Sequence, residues 1–160
     1  MYHWIVKRIV RKNIERLNSG DYDALLKTYG SGIEYGHTVC GDHALGGTRY
    51  TLEAMRQYYY RLHRLLPGLR VDIRSIIISG GPWRTLIALE WTDRATARDG
   101  LPYSNKGVQI IEIRWGRMVF SCTYPDTQRV IDLCKRLGLS GVSEAVATPI
   151  GDTTGSLNSA

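Results

Sequence analysis

Residues 105–128 read NKGVQIIEIRWGRMVFSCTYPDTQ, and this stretch decides the fold. Val108 to Trp115 is rich in β-branched and apolar residues, which predicts a strand. Gly116-Arg117 predicts a tight turn, and Met118 to Tyr124 predicts a second strand that runs back along the first. Apolar residues alternate imperfectly along both arms, so we expect the hairpin to be partly buried on both faces. The Pro-Asp-Thr-Gln step at residues 125–128 then begins a helix.

Three helices are predicted before this hairpin. The first carries an apolar stripe at helical spacing and ends at Asn18-Ser19-Gly20. The second is short, from Tyr22 to Tyr29, and the third begins at Thr51, a good N-cap residue. From Leu69 the pattern changes to extended strands. A last helix follows the hairpin and ends at Gly138.

This order of elements predicts an α+β fold, with helices gathered on one side of an antiparallel sheet of four long strands. A strongly curved sheet wrapped around the first helix would leave a conical space between the two. The chain of 160 residues is long enough to enclose a cavity of ligand size. We predict one domain over residues 1–139. Residues 140–160 are rich in Gly, Ser, Thr and Ala, which predicts a flexible tail.

Composition narrows the range of partners and compartments. The formal net charge is +6, but the basic residues are spread along the chain, which argues against a nucleic-acid partner. No apolar run is long enough to span a membrane, and the first residues do not resemble a secretory signal. Three widely spaced cysteines, Cys40, Cys122 and Cys134, are typical of free thiols in a reducing compartment, so we expect a cytoplasmic protein.

Several polar residues are candidates for the lining of the conical space. Asn13 is the polar residue on the apolar stripe of the first helix, so it either bonds to the backbone or faces a polar cavity. Tyr58 and Tyr59 lie on the apolar stripe of the third helix. Such a stripe is more often core than ligand site, but a buried phenol beside a cavity still needs a hydrogen-bond partner.

The chain resembles the nuclear transport factor 2-like superfamily, and within it the SnoaL-like polyketide cyclase and ketosteroid isomerase group. The resemblance covers most of residues 5–138 and rests on three segments, ERLNSGDYDALLKTYG, GGTRYTLEAMRQYYYRLHRLLPGLRVDIRSIIISGG and GVQIIEIRWGRMVFSCTYPDTQ. It implies the cone-like fold and a homodimer formed back to back through the sheets. Because this fold hosts isomerases, cyclases, dehydratases, epoxide hydrolases and non-catalytic binders, it does not by itself name a reaction.

The resemblance also suggests catalytic positions. Asp126 looks like the aspartate that acts as acid and base in SnoaL-like cyclases. His37 stands near the position of the isomerase base, Asn13 near the isomerase phenol, and Ile111 near the second acid of the isomerase oxyanion hole. The sequence therefore departs from the isomerase pattern at all three positions, and the cyclase-type aspartate is what remains.

Each candidate also has a simpler interpretation. Asp126 precedes the terminal helix and could serve only as its N-cap. His37 could act as a proton acceptor or be a strand-end histidine bonded to backbone. Cys122 and Tyr124 lie on the strand that leads to Asp126 and would line the same pocket. His37, Cys40 and His43 have a spacing that invites zinc, but a fourth ligand is missing, so we predict neither a metal nor another cofactor.

Two functions are compatible with these residues. The first is a cofactor-free isomerase, cyclase or lyase that acts on an apolar or carbonyl-containing molecule, with Asp126 moving the proton and His37 assisting. The second is a non-catalytic ligand-binding or dimeric assembly module of the same fold. On the strand around residues 85–92, the sequence does not say whether the face with Glu90 or the face with Trp91 points into the cone.

Overall fold

The computed structural model describes residues 1–152. This part of the chain contains four α-helices, six strands and two short 3₁₀ helices. Their bounds are α1 (Tyr2–Ser19), α2 (Tyr22–Leu26), a 3₁₀ turn (Lys27–Tyr29), β1 (His37–Val39), β2 (Gly47–Arg49), α3 (Leu52–Leu65), β3 (Arg70–Gly81), β4 (Arg84–Thr96), β5 (Pro102–Arg114), β6 (Arg117–Pro125), α4 (Thr127–Leu139) and a 3₁₀ turn (Ser143–Val146).

The six strands form a single sheet in the order β2-β1-β6-β5-β4-β3. The four long strands β3 to β6 are an antiparallel meander, as predicted, and the short β1 joins it parallel to β6. Bulges interrupt the register between Ile73 and Ser75 and between Glu112 and Ile113. Because bulges increase the local twist, they help the sheet to curve. The α+β cone-like fold is therefore confirmed.

The predicted ends of the helices are confirmed by their capping. Gly20 ends α1 in the left-handed conformation, with a φ of 74°. The hydroxyl of Thr51 accepts a hydrogen bond from the amide of Ala54 at 3.3 Å and caps α3. The hairpin turn lies one residue earlier than predicted, at Trp115 and Gly116, since both have positive φ, as a tight hairpin turn requires.

Two clusters of buried side chains form the core. In the first, α1 packs across the concave face of β3 to β5, with Val6 and Val10 against Ile87 and Leu89. In the second, α2, α3 and α4 pack against one another and around the short strands. The space between the two clusters is the candidate site. Within the described residues, no helix combines the length and the apolar character needed to cross a membrane.

Residues 140–152 were predicted to belong to a flexible tail, but in the structure they lie against the domain. Ala145 is buried in the helical cluster, and Glu144 forms an ion pair with Arg64 on α3. The carboxylate of Asp152 accepts hydrogen bonds from the backbone amides of Tyr50 at 2.6 Å and Thr51 at 3.1 Å. A few specific contacts hold this segment, which a composition rich in small residues does not reveal. Residues 153–160 lie outside the described residues.

Candidate functional site

A cavity of about 170 Å³ lies between α1, the concave face of the sheet and α3. Most of its lining is aliphatic or aromatic, and the polar side chains are concentrated at a few points. The apolar lining comprises Ile9, Val10, Ile14, Leu17, Leu25, Leu62, Leu69, Val71, Ile87, Leu89, Trp91, Ile111, Ile113 and Met118. The polar lining comprises Asn13, Tyr29, His37, Tyr58, Tyr59, Asp93, Gln109 and Thr123.

His37 and three tyrosines form an aromatic cluster at the wall made by β1 and α3. The His37 ring centroid lies 5.6 Å from that of Tyr58 and 6.1 Å from that of Tyr59. The hydroxyls of Tyr29 and Tyr59 bond to each other at 2.9 Å, so these two phenols satisfy one another. Burial, and then the nearby charge of Arg49, lower the pKa of His37 to about 3. His37 is therefore a neutral imidazole, and its buried Nδ1 has no hydrogen-bond partner within residues 1–152.

Arg49 lies behind this cluster and is fully buried. Its guanidinium lies over the Tyr58 ring, 4.0 Å from the ring centroid, in a cation–π arrangement. It also donates hydrogen bonds to the carbonyl oxygens of Gly46 and Gly47. Burial raises the pKa of Tyr58, and the charge of Arg49 opposes that rise. A fixed positive charge thus faces the back of a phenol that lines the cavity.

Asp93, near the end of β4, is the carboxyl group of the cavity. Its Oδ1 atom is buried and has no hydrogen-bond partner among the described residues. Burial raises its pKa from 3.8 to about 6, while a hydrogen bond from the backbone of Asn105 on β5 opposes part of the rise. A carboxyl in this setting can hold or release a proton near neutral pH, as a general acid or base requires.

Trp91 forms the wall beside Asp93 and owes its position to Gly107. The two residues are paired across β4 and β5, and the indole lies over the glycine. A Cβ atom added to Gly107 would lie 2.6 Å from Cζ2 of Trp91 and 2.5 Å from the carbonyl oxygen of Tyr124. The missing side chain at Gly107 therefore leaves the space that the ring occupies.

The structure brings four of the predicted site residues together around the cavity: Asn13, His37, Tyr58 and Tyr59. Of the two alternatives for Asn13, the structure shows a side chain that lines the cavity, and its hydrogen bonds go to other side chains rather than to the backbone. Its Oδ1 accepts from Arg16 at 2.9 Å, and its Nδ2 donates to Thr28 at 3.5 Å. His37 is a strand-end residue whose ring nevertheless forms part of the cavity wall.

The other three predicted residues lie away from the cavity. Asp126 is the N-cap of α4, where it accepts from the Arg129 amide at 3.4 Å and pairs with its guanidinium. Cys122 and Tyr124 point to the outer face of the sheet, because alternation along β6 sends Thr123 inward. The simpler interpretation of Asp126 as a cap describes its contacts, and the expectation that it projects into the cone is wrong.

Asp93 and Arg49 are the charged site residues that sequence reasoning missed, and Tyr29, Gln109 and Thr123 in the polar lining were missed as well. Alternation along β4 offered a signal for Asp93, because Ile87, Leu89 and Trp91 share its face. Once that face is known to be the concave one, Asp93 continues the series into the cavity, and Glu90 lies outside. No pattern in the sequence marks Arg49 as buried. Among residues 1–152, no three His, Cys, Asp or Glu side chains gather closely enough to hold a metal ion.

Comparisons with solved structures find the same fold in many proteins. An NTF2-like protein of unknown function from Burkholderia pseudomallei superposes with a TM-score of 0.69 at 23% identity, covering 79% of this chain and 95% of that one. A proposed isomerase from Bacillus subtilis gives 0.68 at 14% identity, with coverages of 83% and 94%. A proposed polyketide cyclase from Xanthomonas campestris gives 0.57 at 16% identity, with coverages of 80% and 95%.

A search of curated protein sequences finds no match. The sequence model of the SnoaL-like domain, in contrast, matches residues 10–120. That span includes the second half of α1, the aromatic cluster, Asp93 and most of the hairpin. The chain therefore belongs to the SnoaL-like domain family.

Proposed function

We propose that the protein binds a small, mostly apolar molecule in the cavity and that Asp93 transfers a proton to or from it. The observation that carries this proposal is the buried, unpartnered carboxylate oxygen of Asp93 in the wall of a mostly apolar cavity. A carboxyl group is not needed there for packing, and its burial costs free energy when it is ionised. Costly polar groups of this kind cluster at functional sites.

The ionisation of Asp93 suits a general base at neutral pH. With a pKa of about 6, most of the group is ionised at neutral pH, yet it is far more basic than an ordinary aspartate. The apolar lining favours uptake of a proton by Asp93, because an ionised carboxylate is costly to bury. The same group, once protonated, can return the proton to another atom.

The aromatic cluster would hold the polar part of the bound molecule. The hydroxyl of Tyr58 can donate to a carbonyl oxygen, and Arg49 behind the ring would favour negative charge that develops on that oxygen. His37 is neutral, so its role is to donate or accept a hydrogen bond rather than to carry the proton. Asn13 and Tyr59 would complete the polar contacts.

The size of the cavity limits the ligand. An engineered cavity of ~150 Å³ in another protein holds benzene. The cavity of about 170 Å³ therefore favours a molecule of one or two small rings, or an equivalent chain, with at least one carbonyl or hydroxyl group. A compound as large as a steroid would need the walls to move apart.

The proposed chemistry agrees with two of the structural neighbours. One is described as an isomerase and another as a polyketide cyclase. Isomerisation and aldol-type cyclisation both begin with removal of a proton next to a carbonyl group. We therefore propose an isomerase, cyclase or lyase that needs no cofactor for this step.

The proposal can be tested without the natural substrate. We suggest 5-nitrobenzisoxazole, a bicyclic compound that loses a ring proton to a base and opens to a coloured phenol. The protein should accelerate this reaction, and Asp93→Asn should lower the rate at least about tenfold, since general-base catalysis contributes on the order of a hundredfold or more. The rate should rise with pH through an apparent pKa of about 6.

Asp126→Asn is the matched control, since it changes the other candidate carboxylate and leaves an equally good helix cap. It should retain the full rate. If the probe binds, as shown by a thermal shift, but the wild type and Asp93→Asn react at the same rate, the protein is a ligand-binding module rather than an acid–base catalyst.

We also propose a homodimer formed through the outer face of the sheet. Ile77 on β3, Leu86 on β4 and Val108 on β5 are exposed there by 66%, 39% and 38%. Neighbouring strands bring these apolar side chains onto one face, and a second copy would cover them. Sedimentation equilibrium at micromolar concentration should show a dimer that Ile77→Glu weakens. A wild-type monomer would contradict the proposal.

A further inference from the structure

Cys40 and Cys122 form a pair of thiols that the proposed chemistry does not use. Cys40 directly follows β1, and Cys122 lies on β6, the strand parallel to β1. The two sulfur atoms are 3.5 Å apart, although the residues are 82 positions apart in the chain. The backbone between them is already tied, because the amide of Cys40 donates to the carbonyl of Thr123 at 3.0 Å.

The two thiols differ in their access to solvent. Cys122 is buried, with 5% of its surface exposed, whereas Cys40 is half-buried. Reagents in solution can therefore reach Cys40 first, and Cys122 lies behind it in position to react second. The third cysteine, Cys134, is buried on α4 in the helical cluster and serves as an internal reference.

We propose that Cys40 and Cys122 are a redox-sensitive dithiol that closes to an intramolecular disulfide when a small-molecule disulfide acts on the protein. In the first step the Cys40 thiolate attacks one sulfur of the reagent, forms a mixed disulfide and releases one thiol. In the second step the Cys122 thiolate attacks the Cys40 sulfur and expels the second thiol. Two cysteine thiols are oxidised, one reagent disulfide is reduced to two thiols, and the two cysteine protons pass to these products.

The surroundings of the pair make this reaction slow at neutral pH. Burial, together with the contact with Cys122, raises the pKa of Cys40 to about 11, so the thiolate is scarce. The titratable neighbours are Tyr124, which contacts Cys122, and His43, whose ring bonds to the carbonyl of Cys40 at 3.2 Å. In a reducing compartment, such as the cytoplasm predicted from the cysteine content, the pair stays reduced and closes only under sustained oxidation.

Closure would act on the candidate site through β1. This strand has three residues, and its first, His37, is part of the cavity wall, while Cys40 directly follows its last residue. A covalent link between Cys40 and β6 would hold β1 against the meander, and would restrict any movement of His37 that accompanies ligand entry.

The test is to incubate the native protein with oxidised glutathione at about pH 8.5, where thiolate is more abundant. We expect a mass loss of about 2 Da, the two hydrogen atoms removed, and a peptide that links Cys40 to Cys122. The thermal midpoint of the oxidised protein should rise by on the order of 10 °C, because a disulfide across so long a loop restricts the unfolded chain. A reductant should reverse both changes.

Three variants distinguish a disulfide between Cys40 and Cys122 from oxidation elsewhere in the protein. Cys40→Ser and Cys122→Ser should each abolish the mass loss, and Cys134→Ser should retain it. If the folded wild type keeps all three thiols under conditions that oxidise the urea-unfolded protein, the proposal is overturned. A linked peptide that contains Cys134, or oxidation that persists in Cys40→Ser, would overturn it as well.

Discussion

Replacing Asp93 by Asn should make the protein more stable at neutral pH, although it removes the proposed catalytic group. Burial raises the pKa of Asp93 from 3.8 to about 6. Each pH unit of such a change is equivalent to about 1.4 kcal/mol, so ionised Asp93 lowers the free energy of unfolding by about 3 kcal/mol. Asn has nearly the same shape and carries no charge. Its amide hydrogens need partners, so we expect a net gain of about 2 kcal/mol.

The gain should depend on pH in a defined direction. Between about pH 4 and pH 6 the folded protein holds a proton on Asp93 that the unfolded chain has lost, so wild-type stability falls as pH rises. Above about pH 6 both states are ionised and the difference is constant. Below about pH 4 both states are protonated, and the wild type and Asp93→Asn should have similar free energies of unfolding.

Urea denaturation at several values between about pH 4 and pH 8 measures this difference directly. Asp126→Asn serves as the control, because it changes a capping carboxylate outside the cavity and Asn caps a helix as well as Asp does. It should leave stability within about 0.5 kcal/mol of the wild type. The reasoning is refuted if Asp93→Asn is less stable than the wild type at about pH 7.5, or if its effect is the same across this whole range.

Three further substitutions probe the frame of the site. Asp126→Ala should lower the free energy of unfolding by about 1 kcal/mol, through loss of the α4 cap, and leave ligand affinity in the cavity unchanged in a thermal-shift titration. Asp152→Ala should cost about 1–3 kcal/mol in urea denaturation, and should speed amide exchange at Tyr50 and Thr51, whose amide hydrogens lose their acceptor. Leu137→Ala should cost about 2–5 kcal/mol, since this side chain is fully buried on the inner face of α4; a smaller loss would show that α4 repacks readily.

Local signals in the sequence predicted most of the fold. Gly20 and Thr51 stop and start helices through backbone contacts within a few residues, so their roles follow from residue type. The hairpin around Gly116 was displaced by only one position, because two adjacent residues there could each supply the turn. Such features depend on contacts between residues that are close together in the sequence, so they can be predicted from a single sequence.

The candidate site was harder to predict, because it depends on contacts between distant segments. Asp93 and Asp126 are equally ordinary aspartates in the sequence. Asp93 points inward only because its face of β4 is the one that lies on the concave side of the sheet. Arg49 is buried by a stack with Tyr58 and by carbonyl groups of its own loop. Asp152 anchors its segment to backbone amides about 100 residues away, as the separations of 101 and 102 positions show.

The pairing of Gly107 with Trp91 makes the capacity of the cavity adjustable at a position that no bound molecule would touch. The indole can lie back against β5 only while residue 107 has no side chain. An alanine there would meet the carbonyl oxygen of Tyr124 as well as the indole, so β5 and β6 would have to shift apart while the ring moved, and the wall beside Asp93 would change shape. Relatives with a side chain at this place would be expected to differ both in the spacing of these two strands and in the residue paired opposite, and the two together would set which molecules are admitted.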